Sequence, residues 1–171
     1  YQALLHEMEK QQIEICNYAD MAKEDIRFLD TYFAEEVHPL LSPQIVGKKQ
    51  PFPFLKNKDI HAVVVLEKKG HEKLGIVPCN MEVFPRMVKI PGHENLYMLM
   101  EELILHYIPQ IFEHYRVKSK SLIRIIRNAD IELDEEMYDD DTDFRQLMEQ
   151  MVKRRKKLCP IKLEYSRLME C

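Results

Sequence analysis

Glycine is scarce in this chain, with four residues in 171. None of the four falls in a Gly-x-Gly-x-x-Gly or Gly-Lys-Ser/Thr pattern, so the usual phosphate-cradling loops are missing. Long apolar runs are missing too. The longest, such as Ala62 to Leu66, reach about five residues against the roughly 20 of a membrane-spanning helix. There is no excess of positive charge. Twenty-five Lys and Arg against 29 Asp and Glu leave a net charge of −4, which excludes a strongly basic nucleic-acid module but not a local basic patch. Cysteine is sparse, and Cys16, Cys79, Cys159 and Cys171 include no Cys-x-x-Cys pair, so no zinc site is expected. Nothing at the start has the basic-then-apolar layout of a signal peptide. Free thiols in a reducing compartment follow as the expectation.

What is present is ordinary for a soluble globular domain: 46% apolar and 32% charged residues. A length of 171 residues suits one domain, taken here as residues 1–171. The chain opens on Tyr1 and closes on Cys171 without a polar tail, and reads as a piece of a longer protein.

Periodicity supplies the elements. Residues 1–11 read as a helix, and Ile13 and Ile15 flank Glu14 in a short strand-like alternation. Asp20 is a candidate N-cap for a helix whose buried face carries Ile26, Leu29, Phe33 and Val37. Pro39 should stop it near His38. Residues 39–58 read as a long Pro-rich connection. Within it Pro51-Phe52-Pro53-Phe54-Leu55 is apolar yet unfit for a central strand. Such a loop either covers its own core or docks on a neighbouring domain.

Ile60 to Leu66 and Leu74 to Val77 flank a turn at Lys68 to Glu72 and predict a hairpin. Met87, Val88 and Ile90 form a further short strand. Asn95 is a candidate cap for a helix bearing Leu99, Leu103, Ile104, Ile108, Ile111 and Phe112, broken or kinked at Pro109. Leu122 to Ile126 is a strand, and residues 128–134 have a half-buried extended pattern. An acidic start at 139–143 and a basic run at Lys153 to Lys157 bracket a last helix in agreement with its dipole. Ile161 to Tyr165 alternates as a closing strand. Interspersed helices and hairpins give an α+β fold with a mixed, largely antiparallel sheet and packed helices.

Several constellations could carry chemistry. Arg124, Arg127 and Asn128 lie close to Asp130, and an arginine ending a strand beside an Asn presents several donors to a phosphate. The odd spacing of the two arginines puts them on opposite faces of a regular strand. An ion pair of Arg127 with Asp130 is the plainer alternative. Asp130, Glu132 and Asp134 share one face and could hold Mg²⁺ or simply be solvated. The basic run suits a polyanion, including RNA, though its place at a helix C-terminus already accounts for it. Glu102 and His106 sit four apart on one helix face.

Four motifs in order carry a resemblance. Tyr32-Phe33-Ala34-Glu35-Glu36-Val37-His38-Pro39-Leu40-Leu41-Ser42-Pro43 resembles a Y-F-x-x-x-V-x-P-x-L-T-P segment of bacterial polyphosphate kinases of the phosphohistidine type. Gln50 to Asn57 matches the family's H-P-F-P-F-L-x-N, with Gln50 in place of His. Arg124 to Glu135 matches R-x-T-R-N-A-D-[LI]-E-[LV]-[DE]-E, with Ile126 in place of Thr. The acid-to-base helix and Leu163-Glu164 complete the series, which covers about residues 22–166.

The resemblance implies a middle, or head, domain with a fold similar to phosphohistidine phosphatases. It implies a parent enzyme that reversibly transfers the γ-phosphate of ATP to inorganic polyphosphate through a phosphohistidine. ATP and Mg²⁺ belong mainly to C-terminal domains of that parent. No histidine here sits in the family's catalytic context, so neither a catalytic nor a metal-ligating residue is assigned, and the piece alone should be inactive. Expected partners are the N- and C-terminal domains, a second copy in a homo-oligomer, and polyphosphate itself. Nucleic acid is not expected. The resemblance places the parent in the cytoplasm or peripherally at the inner membrane face. Arg127, Asn128 and Asp130 are the residues expected to face the catalytic domains or the polymer, and Pro51, Phe52, Pro53 and Phe54 the docking loop. A stand-alone assembly module, or an anion- or RNA-binding module, is the alternative.

Overall fold

The structure, a computed structural model, describes residues 6–8, 10–47, 52–79, 82–127 and 160–169. Its centre is the hairpin expected from the β-branched run. Strands β3 (Ile60–Lys68) and β4 (His71–Pro78) pair antiparallel in full register across a two-residue turn. Lys69 and Gly70 both take positive φ, 53° and 75°, which matches the tight turn to the twist of the strands. Among the described residues three more antiparallel strands complete a five-stranded sheet. They are β2 (Gln44–Val46) on β4, β7 (Arg116–Arg127) on β3, and β8 (Pro160–Tyr165) on β7. A smaller mixed sheet joins β1 (Glu14–Ile15), parallel to β6 (Leu96–Leu99), with β5 (Met87–Lys89) antiparallel on its other side.

The helices lie on one face of the large sheet. Helix α1 (Lys23–Tyr32) continues through a widened π-helical turn at Phe33–Val37 into a single 3₁₀ turn at His38–Leu40. The α-helical hydrogen bonding thus ends at Tyr32, about two turns before Pro39. Helices α2 (Met100–His106) and α3 (Ile108–Ile111) are the two short helices that Pro109 requires. Leu29, Phe33, Val37, Leu103, Ile104 and Ile108 are almost wholly buried against Ala62, Val64 and Leu66. Gly75 sits under this layer. A Cβ there would stand 2.6 Å from Val64 and 2.9 Å from Phe112, so only glycine lets the Phe112 ring reach the sheet.

Some elements differ from the sequence reading. Asp20 belongs to a 3₁₀ turn (Tyr18–Asp20), and Ala22 occupies the N-cap of α1. Asn95 precedes strand β6 rather than a helix, and Leu99 ends that strand. The Pro-rich connection contains β2, which pairs through Ile45 and Val46. Strand β7 begins six residues earlier than its apolar part, at Arg116. The expected helix over 139–157, the acidic stretch at 130–134, the basic run Lys153 to Lys157, Cys159 and Cys171 lie outside the described residues.

Candidate functional site

The opposite face of the large sheet has no helix on it among the described residues. Val63 and Ile76 project there and are covered by Leu55, with Val46, Leu74, Ile123, Ile125 and Met169 around them. Leu55 is therefore the part of the Pro-rich loop that closes the protein's own core. Its neighbours Phe52 and Phe54 are not so used and stay 58% and 56% exposed.

Arg127 fixes this loop. Its guanidinium lies 4.7 Å from the centre of the Phe54 ring and donates to the Leu55 carbonyl at 3.2 Å. Its backbone N–H donates to Asn57 Oδ1 at 2.9 Å, and the Lys58 N–H reaches the Ile125 carbonyl at 2.8 Å. The two sequence candidates, the strand-end arginine and the aromatic loop, are thus one structural unit. Asn128, Asp130 and Pro51 lie outside the described residues. Arg124 sits on the other face, where it pairs with Glu164 at 2.5 Å beside Lys162.

Strand β8 extends the same surface. Its register sets Tyr165 beside Ile123 and Leu163 beside Ile125. Ile161, Leu163 and Tyr165, alternating along the edge strand, are 65%, 57% and 59% exposed. The alternation was visible in the sequence; that these side chains of β8 are more than half exposed was not. A contiguous run of exposed apolar side chains on one face is the mark of an interaction surface.

A second group of polar residues lies across the sheet, around the end of α2. Tyr107 and Tyr18 both donate to Asp30 Oδ1, the latter at 2.9 Å. Burial, with the Asp30 carboxylate adjacent, pushes the Tyr107 hydroxyl well above the usual tyrosine range. Tyr18 stacks on the His106 ring with centroids 3.6 Å apart. Glu102 does not bond to His106; it takes the guanidinium of Arg167 at 2.9 Å. Elsewhere, Arg86 holds the Glu101 carboxylate at 3.1 Å, and the other Glu101 oxygen is buried without a partner among the described residues. His93 spans from the turn after β5 to the buried Asp25 at 3.1 Å. Cys79 is buried, which pushes its thiol up to about 12 and makes it unreactive. No helix among the described residues is long and apolar enough to cross a membrane.

These features define an α+β domain of one antiparallel and one mixed sheet with a few helices. That architecture is similar to a crystal structure of polyphosphate kinase from Porphyromonas gingivalis. The TM-score is 0.67 at 23% identity, over 78% of this chain and 22% of that one. Residues 24–171 match the family model described as the polyphosphate kinase middle domain, and the chain belongs to that family. It is 31% identical to the polyphosphate kinase of Lactiplantibacillus plantarum over 98% of its own length, and 31% identical to that of Bacillus anthracis over 94%. It spans 23% and 24% of those two proteins, about a quarter of each.

Proposed function

We propose that this chain is one domain, a non-catalytic scaffold within a polyphosphate kinase, and that the outer face of its large sheet seats a neighbouring domain of the same parent. The observation that carries this reading is the loop that Arg127 holds. Leu55 is buried while Phe52 and Phe54 are exposed, Arg127 stacks on the Phe54 ring, and the stripe of β8 is exposed as well. An arginine stacked on an aromatic ring and bonded to the loop backbone fixes exposed side chains whose mobility would otherwise be lost only on docking. The relatives are about four times as long as this chain, so ample protein is available to cover the face.

In this reading the parent moves the γ-phosphate of ATP to polyphosphate through a phosphohistidine, with ATP and Mg²⁺ held outside this chain. Phosphoryl transfer needs a nucleophile and metal-held phosphates in one place, so the chain alone has no kinase activity. Arg127 marks the rim that faces the catalytic domains.

The test is a full-length enzyme carrying Phe52→Ser and Phe54→Ser. Loss of a docked aromatic pair lowers polyphosphate synthesis by about tenfold or more, while the isolated chain loses no more than the roughly 1 kcal/mol that the Arg127–Phe54 contact is worth. Wild-type activity in that variant contradicts the docking face.

A further inference from the structure

The polar cavity at the end of α2 stands apart from the docking face, on the helix-covered side of the sheet. It has a volume of about 190 Å³ and is lined by Asn17, Tyr18, Glu102, His106, Lys120 and Arg167, with Met98 and Leu105 among its apolar walls. Four separate segments build it: the turn after β1, helix α2, the middle of β7 and the residues after β8.

The cations are held in place rather than free to wander. Lys120 projects from the helix-covered face of β7, and its ammonium donates to the Leu105 carbonyl at 2.7 Å and reaches that of His106 at 3.5 Å. Arg167 is anchored through its backbone. Ser121, fully buried, accepts from the Arg167 N–H at 3.1 Å and lies 2.8 Å from its carbonyl.

Donors in the cavity outnumber acceptors. A guanidinium has five N–H donors, and among the described residues that of Arg167 bonds only to Glu102. The Asn17 amide and the His106 ring have no hydrogen-bond partner among the described residues. Two cations face one carboxylate. The charge balance is felt by the titrating groups themselves. Burial, then Arg167, pulls the Lys120 ammonium below its usual range, and burial, then Lys120, does the same to His106. Glu102 acts on Lys120 and Asp30 on His106 in the opposite sense, but more weakly.

We propose that this cavity binds a phosphate-type oxyanion between Lys120 and Arg167, with Asn17 and His106 as further donors. A phosphate-type oxyanion is rich in acceptors, which is what the cavity lacks, and Arg offers it a planar fork of donors. The site does not depend on the docking face, since no residue is shared between them.

The test is isothermal titration of the intact chain with orthophosphate and with tripolyphosphate, in low-salt buffer free of other oxyanions. Saturable binding at one site is expected. Arg167→Gln weakens it about tenfold, the worth of one charged hydrogen bond. Lys120→Met also takes a donor from the last carbonyls of α2, so Glu102→Gln is the cleaner variant. It removes the competing carboxylate and tightens binding about threefold, as a half-exposed charge pair should. A purely structural Glu102 would produce no such gain. Tripolyphosphate binding more than tenfold tighter than orthophosphate assigns the cavity to a phosphate chain, and equal affinity assigns it to a single phosphate group. Either result upholds the site. No binding, binding unchanged in Arg167→Gln, or weaker binding in Glu102→Gln overturns it.

Discussion

The two faces of the five-stranded sheet are built from the same alternating strands and are finished differently. On the inner face Ala62, Val64, Leu66 and Val77 meet helices, and the layer is sealed. On the outer face, among the described residues, Val63 and Ile76 meet Leu55 of a loop and Met169, and Phe52, Phe54, Leu163 and Tyr165 are more than half exposed. Buried apolar area is what holds a domain together, so the inner face should carry its stability. An outer face left uncovered adds little to the isolated chain and has its full value only when something else covers it. The same alternation of residues therefore serves folding on one side and association on the other.

The sharpest way to break this contrast is at Phe33. It is buried to 1% exposure and stacked 4.0 Å from Tyr107. Phe33→Ala leaves a cavity in the inner layer and costs about 3–5 kcal/mol, read from urea unfolding. Gly75→Ala acts in the opposite sense by overfilling the same layer. With Val64 and Phe112 within 3 Å of the new methyl, a loss of about 1–3 kcal/mol is expected in the same assay. Arg127→Ala on the outer side removes the hydrogen bond to the Leu55 carbonyl and the contact with the Phe54 ring, among other contacts, and costs about 1 kcal/mol or more. It also speeds proteolysis within residues 52–57 relative to the unchanged chain. Leu163→Ser, on the open stripe, changes stability by no more than about 0.5 kcal/mol. A larger loss would mean that the outer face is already covered.

The smallest effect is a pH dependence. His61 is buried where the outer face meets the loop, and burial lowers its pKa from the usual 6.5. Its folded form resists the proton that the unfolded chain accepts. Stability is therefore unaffected by this residue well above pH 6.5 and falls as the pH drops below that value. The urea midpoint of His61→Asn should fall less between pH 7.5 and 5.5 than that of the unchanged chain.

The sequence was most legible where one local rule dominated. The β-branched run before Lys69-Gly70 and the strict alternation of Ile161 to Tyr165 each carry their own signal. Strand β6 was hidden because Leu96 to Leu99 runs without a break into the apolar stripe of α2, and a short strand and a helix start look alike there. The first half of β7 was hidden by its charged and hydroxyl residues, Arg116, Lys118, Ser119 and Lys120, none of them fully buried, whose order comes from pairing with β3. Strand β2 is three residues between prolines. Of the candidate site, Arg127 and the aromatic loop were each visible, but not their contact, since Leu55 and Arg127 are 72 positions apart. The cavity at Lys120 and Arg167 draws on four distant segments and has no sequence signature of its own. The four ordered motifs, in contrast, were enough to point to the family.

The most direct measurement is hydrogen–deuterium exchange of this domain alone and within the full-length enzyme. The account predicts slower exchange in the full-length protein for residues 52–57 and for β8, with the inner strands and α2 unchanged. Equal exchange of those two segments in both forms would contradict the claim that the outer face is a seat for the rest of the enzyme.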